Sequence, residues 1–222
     1  MPTPLRIGIT ALYLLPGGVG GTEIYLRNLL GALSLVDSSN EYFVFTNLET
    51  DDGLVPAAPN FHHVRQNVHA SFRPARILWE QAVLPFHVHR LRLSVLFNPG
   101  FTTPFLCPCP VVTVFHDLQH KRHPEYFRWF DLPFWQFFLY WSARRSHRIV
   151  AVSEATRADL ERFYGLDHST VRVVPHGVEE AFFEVGRQRD EHSLGPPGVS
   201  GVPPDHRGHA RLPDHCHRAN HY

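Results

Sequence analysis

The chain lacks several features that would commit it to a class. It has no charge excess: Lys+Arg and Asp+Glu are 21 each, so the net charge is zero with neutral histidine. A broad nucleic-acid footprint needs clustered surplus positive charge, and no nucleic-acid partner is expected. It has three cysteines, Cys107, Cys109 and Cys216. An odd count outside a secretory context does not make a disulfide framework. Cys107 and Cys109 are separated by one proline, tighter than the usual zinc or redox spacing. No stretch reaches about 18 uninterrupted apolar residues, so no membrane span is expected. The first residues are not followed by the long apolar core of a signal peptide, and the expected location is the cytoplasm. Lysine is nearly absent: Lys121 stands alone among arginines, a bias of GC-rich coding sequence that says little about fold.

What is present is an ordinary 43% of apolar residues in 222, enough for one large domain or two small ones. Residues 5–15 form a nearly continuous apolar run, which reads as a buried strand of a parallel sheet. The glycine turn Pro16-Gly17-Gly18-Val19-Gly20-Gly21 follows. Thr22 is a good N-cap, and Ile24, Leu26, Leu29, Leu30 and Leu33 recur at helical spacing. Strand, glycine loop and helix make the first unit of a Rossmann-like fold.

Further strands are expected at residues 42–45, 61–68, 94–97, 111–115, 148–152 and 171–174. Helices are expected at residues 75–91, with Pro85 as a kink or break, at 126–145, and at 154–164 between a Ser153 cap and Gly165. The alternation argues for an α/β fold: a Rossmann-like parallel sheet flanked by helices. Ligands bind outside the carboxyl ends of such strands. Three conspicuous loops, after Leu15, Phe115 and Val174, sit at those ends.

Several segments carry a resemblance. LPGGVGGTEIYLRNLLGAL, ILWEQAVLP, VVTVFHDLQHKRHPEYF, IVAVSEATRADLERFYG and VRVVPHGVEEAFF occur in order. Over roughly residues 5–184 the chain resembles the glycosyltransferase family 4 (group 1) enzymes. The resemblance implies the amino-terminal, acceptor-side half of a GT-B fold, in which two Rossmann-like domains face across a cleft. It implies hexosyl transfer from a nucleotide sugar to an acceptor hydroxyl, with the anomeric configuration retained. No cofactor and no metal on the diphosphate are expected; the nucleotide sugar is a substrate. The acceptor would be a glycan or a lipid-linked molecule. The second domain, which grips the donor nucleotide in relatives, has no counterpart here.

The candidate site residues follow. The resemblance implies that Gly17 and Gly18 border the donor diphosphate and the transferred sugar, with Gly20 and Gly21 completing the loop. Glycines let backbone amides approach a phosphate, and the helix behind them supplies a positive dipole end. The spacing is not the dinucleotide pattern, since the third glycine would fall at Glu23. A tight turn without ligand is the plainer alternative. His116 ends the clearest interior strand and is the candidate catalytic residue, acting on a proton or positioning the sugar. Asp117 orients His116 or caps the following turn; both stay open. Ser153 is grouped with the binding residues as well as being a cap. His176 and Gly177 would line the cleft from a hinge, where the family often has Asn in place of His176.

Trp129, Phe130, Phe134, Trp135, Phe137, Phe138 and Trp141, with Arg144, Arg145 and Arg148 following, allow two readings. One is a helix buried against the sheet. The other is a face lying on an anionic membrane surface, which would place the protein at the inner face of the membrane. The expected domain spans residues 1–184. Residues 185–222 are rich in Gly, Pro, Arg, His and Asp, cannot offset their chain entropy by burial, and are expected to be disordered. They resemble GC-rich DNA read in a shifted frame, so a non-catalytic truncated remnant, or a half-enzyme needing a partner chain, is the rival expectation. His215, Cys216, His217 and His221 have zinc-capable side chains, but nothing else there points to a folded metal site. An ordinary Rossmann dehydrogenase is disfavoured, because no acidic residue is clearly placed to hold a ribose.

Overall fold

The sheet is built outward from its first strand. In the computed structural model, which describes residues 3–18, 20–100 and 102–177, β1 (Arg6–Thr10) lies between β2 (Glu41–Thr46) and β4 (Val95–Asn98). Gly8 is what lets it sit so deep. A Cβ there would lie 2.6 Å from Leu93 Cδ1 and 3.0 Å from Leu96 Cδ1. With β3 (Phe61–Arg65), β5 (Val111–Phe115), β6 (Arg148–Ala151) and β7 (Val171–Val173), the order is β3-β2-β1-β4-β5-β6-β7, and every pair is parallel. All seven expected strands are present, although the first stops at Thr10 and residues 11–15 turn away.

Alternation along β2 separates two cores. Tyr42 and Val44 join Ile9, Leu26 and Leu30 beneath α1 (Gly21–Val36). Phe43 and Phe45 join Leu84, Val88 and Leu96 on the opposite face, beneath α2 (Arg73–Ala82) and α3 (Leu84–Arg90). Leu26 and Leu30 are fully buried, each stabilising the fold by roughly 1.5–3 kcal/mol. A third core gathers Phe115, Leu139, Ile149, Leu160 and Tyr164. It is covered by α5 (Leu132–Arg145) and α6 (Glu154–Tyr164), while α4 (Gln119–Arg122) is a single turn.

Two local expectations need correction. Thr22 does not cap α1: the helix begins at Gly21, and the capping position is Gly20. Gly20 has φ 56, a left-handed value that turns the chain into the helix two residues early. The break expected at Pro85 is present: the helical stretch expected at 75–91 is two helices parted at Val83, because Pro85 has no N–H for the Gln81 carbonyl. The aromatic helix starts only at Leu132; residues 124–126 form a 3-10 turn, and Pro133 fits a first helical turn rather than an interior. Nor is that helix buried all round. Leu139, Ser142 and Ala143 face the core, while Phe137, Tyr140 and Trp141 are exposed.

The helix α6 follows expectation at both ends. Ser153 Oγ accepts the Thr156 N–H at 3.1 Å, and Gly165 closes the helix in the left-handed region. Residues 1–176 form one compact unit. The expected disorder of residues 185–222 and the His215–His221 cluster lie outside the described residues. Among the described residues no helix is long and apolar enough to cross a membrane.

Candidate active site

Parallel order fixes where a ligand can bind. The chain runs outward from β1 to β3, then returns to β4 on the other side of β1. The loops leaving β1 and β4 therefore diverge, and a crevice opens at the carboxyl ends of the strands. The glycine loop leaves β1 there, Pro99 and Gly100 leave β4, and His116 and Asp117 leave β5.

His116 is held by its surroundings. Its Nε2 lies 2.9 Å from the Pro99 carbonyl oxygen. A carbonyl only accepts, so Nε2 carries the hydrogen and, in the neutral ring, Nδ1 holds the lone pair. That Nδ1 lies 3.3 Å from His176 Nε2, and the two rings stack with centroids 5.2 Å apart. Tyr25, one turn into α1, sets its ring edge-on to both, at 5.2 Å from His116 and 4.9 Å from His176. Burial lowers the His116 pKa below the usual histidine value; the Pro99 carbonyl and Asp117 oppose this, and His176 reinforces it. The backbone of His116 is anchored too: Thr156 Oγ1 donates to its carbonyl at 3.1 Å. Thr156 also meets Ser153 Oγ at 3.0 Å, which links Ser153 to His116 through Thr156.

Asp117 caps the following turn, accepting the Gln119 N–H at 3.1 Å. It borders a cavity of about 300 Å³ lined also by Gln119, Arg122, Thr156 and Asp159. Arg122 grips Asp159 through Nε at 2.5 Å and Nη2 at 2.8 Å.

The glycine loop is closed from within. Gly17 donates its N–H to Glu23 Oε2 at 2.8 Å, and Gly18 donates to the Leu15 carbonyl at 2.8 Å. Glu23 also accepts from Arg27 Nε at 3.0 Å, and Arg27 pairs with Asp51. The loop amides at Gly17 and Gly18 are thus engaged inside the protein. The amides that open α1, at Gly21 and Thr22, have no intrahelical carbonyl behind them. Those are the donors an anion at this helix end would meet.

The structure thus brings the glycine loop, His116, Asp117 and His176 to one end of the sheet. Gly177, the last described residue, begins a second unit. Sequence reasoning missed Tyr25, Glu23, Thr156 and Pro99. Glu23 left a signal, as an acid in a first helical turn behind a glycine loop. Tyr25 left none, because its role depends on two strands distant in sequence. Among the described residues no three His, Cys, Asp or Glu side chains converge as metal ligands. Cys107 and Cys109 are free thiols with sulfurs 3.7 Å apart.

A parallel sheet with a crevice at its topological switch point, a glycine loop and a half-buried histidine define a Rossmann-like ligand-binding domain. The chain belongs to Glycosyltransferase Family 4, whose family model matches residues 19–182. No curated protein matches it in sequence. Among solved structures it is similar to sucrose-phosphate synthase from Thermosynechococcus elongatus, at TM-score 0.58 and 12% identity, covering 84% of this chain and 52% of that one. It is also similar to UDP-N-acetylglucosamine 2-epimerase from Rickettsia bellii (TM-score 0.54, 13% identity, 88% and 52% covered). A third is the lipopolysaccharide outer core galactosyltransferase WaaB (TM-score 0.50, 13% identity, 79% and 46% covered). At such identities the likeness is one of fold. The chain spans about half the length of the structures it matches.

Proposed function

We propose that this chain is the acceptor-side domain of a hexosyltransferase that moves a hexosyl group from a nucleotide sugar to an acceptor hydroxyl. The observation that carries the reading is His116, locked at the end of β5 beside the glycine loop, in a chain that belongs to Glycosyltransferase Family 4. Fold alone would not decide, since the similar structures include an epimerase as well as transferases.

In this reading the glycine loop and the opening amides of α1 border the donor diphosphate and sugar. His116, neutral at physiological pH, hydrogen-bonds a sugar hydroxyl or takes a proton. Its Nε2 hydrogen is held by Pro99, so the working nitrogen is Nδ1, and His176 must swing aside or relay. Asp117 and Ser153 support the frame of this wall. The dominant task is stabilising charge on the departing diphosphate, and no metal or cofactor is assigned to it. Most of the positive charge for that task comes from a second, nucleotide-gripping domain, in cis or on a partner chain. The reaction belongs to the cytoplasm, at the inner membrane face if the acceptor is lipid-linked.

The test is calorimetric titration of the folded chain with nucleotide sugars and nucleoside diphosphates, then a turnover assay on any binder. Binding with turnover supports a complete site in this chain or in a self-assembled pair. No binding by folded protein, even with the second domain supplied, would sink the transferase reading and favour a non-catalytic remnant.

A further inference from the structure

Arg76 is the anomaly of this wall. It sits on α2, 8% exposed, and its Nε has no hydrogen-bond partner. Among the described residues its guanidinium makes neither a hydrogen bond nor an ion pair. Its neighbour on the same helix behaves normally: Arg73 pairs with Asp131 at 3.3 Å and lies over the Trp135 ring. Glu80, at i+4 from Arg76, is the usual partner for such a spacing. Its carboxylate accepts instead from Thr102 Oγ1, at 2.9 and 2.8 Å, and acts on Arg76 as a neighbouring charge. Burial pushes Arg76 down and Glu80 up, and the opposite charges of the two offset this only in part.

A second orphan lies beside it. The Tyr13 hydroxyl is buried without a partner, and Tyr13 and Arg76 act electrostatically on one another. The Tyr13 ring is fixed by close contact: a Cβ on Gly100 would lie 2.4 Å from its Cε1. Gly100 follows Pro99, the residue that holds His116. Tyr25 and Glu23 also act on Tyr13, and Tyr25 touches His116. The orphan pair is therefore continuous with the candidate active site. Buried polar groups are almost always satisfied, and leaving the Arg76 Nε–H and the Tyr13 hydroxyl unmet is costly.

We propose that Arg76 and Tyr13 form a subsite for an oxyanion, a phosphoryl or carboxylate group on a ligand seated beside His116. The guanidinium offers a fork of N–H donors, and the Tyr13 hydroxyl offers one more from a second direction. The ligand's identity rests on the transferase reading; the anion site itself does not.

The experiment is thermal unfolding of the full chain against inorganic phosphate, pyrophosphate, UDP-glucose, glucose 1-phosphate and glucuronate, at matched ionic strength. A ligand that binds only the folded state raises the midpoint saturably. At least one of these anions is expected to do so. Arg76→Met, which keeps the stem and removes the charge, is expected to weaken that anion at least tenfold while unfolding no lower than the parent. Loss confined to pyrophosphate and UDP-glucose assigns the subsite to the donor diphosphate; loss confined to glucose 1-phosphate or glucuronate assigns it to an acidic acceptor. If Arg76→Met does not fold, Tyr13→Phe decides, with a several-fold loss of affinity expected. The proposal is overturned if no anion stabilises the parent, or if the folded variant binds anions unchanged. Absence of turnover with anion binding intact would instead count against the transferase reading alone.

Discussion

The imidazoles of His116 and His176 stack face to face, with facing nitrogens 3.3 Å apart. They come from the ends of β5 and β7, sixty residues apart in sequence. The pairing has a consequence for titration. Burial and the His176 field both keep His116 neutral below the ordinary histidine pKa of 6.5. His176→Ala removes the field and opens the ring to water, so the His116 midpoint should move upward. Histidine ring NMR titration measures this without any assay of turnover. In a turnover assay, His116→Ala should lower the rate by roughly 10²–10⁴-fold, the range for a lost acid–base group.

Glu23 makes a different kind of prediction, because it holds the glycine loop from inside. Its carboxylate serves the Gly17 amide and Arg27 together. Glu23→Gln keeps the shape and loses the charge. The expected cost is about 1–2 kcal/mol, from charge-assisted hydrogen bonds that become neutral ones. Amide exchange at Gly17 should accelerate, while Gly18, held by the Leu15 carbonyl, stays protected. Equal acceleration at both would mean that Glu23 merely supports the whole loop.

Glycine position separates two outcomes of one substitution. Gly31 lies inside α1, and a Cβ there meets nothing within 4 Å. Gly31→Ala should stabilise the fold by about 0.5–1 kcal/mol. Gly8 is the opposite case, wedged against Leu93, Leu96 and Phe45. Gly8→Ala overpacks the central strand and should cost roughly 1–3 kcal/mol. Chemical denaturation of the two variants checks both signs.

These cases show what the sequence could and could not reveal. Strands were legible because a buried parallel strand is a short β-branched run, as in Val111–Phe115, whose bounds match expectation. The ends of α6 were legible because a serine cap and a left-handed glycine are local devices. Helix starts governed by glycine or proline were less so: Thr22 looked like a cap, but Gly20 reaches a conformation no other residue adopts easily. At the site, His116 showed itself by its place at a strand end. Tyr25, Pro99 and the orphan Arg76 did not, since their roles come from contacts between segments far apart in the chain.

His120 gives the pH dependence of stability a definite sign. It is 2% exposed, with Nε2 at 2.7 Å from the Tyr164 hydroxyl, and burial pushes its pKa down to about 4. In the unfolded chain it titrates near 6.5. Between those values the unfolded state binds more protons, so stability rises with pH through that window. It is complete above about pH 6.5 and is lost as pH falls toward 4, by on the order of 3 kcal/mol for this group. His120→Gln should flatten that slope in denaturation measured from pH 7 to 4.5. An unchanged slope would assign acid sensitivity to His87 and His116, whose pKa values burial also lowers.

The aromatic surface leads to the last prediction, because the two readings open at the sequence level now have different consequences. Trp129 is 85% exposed and Phe137 54%. Phe137 stacks on Trp141, and Phe105 packs against Phe137, Phe138 and Trp141. A side chain as exposed as Trp129 contributes little to folding, so Trp129→Gln should change stability by no more than about 0.5 kcal/mol. If the face lies on an anionic membrane, vesicles containing phosphatidylglycerol should bind the parent chain, and Trp129→Gln with Phe137→Gln should weaken that binding without lowering the unfolding midpoint. Salt should weaken it too, since Arg128 and Arg144 flank these rings, over Phe130 and Tyr140. If the parent ignores such vesicles but self-associates, and the double variant stays monomeric in sedimentation, the face is instead one that a protein surface covers.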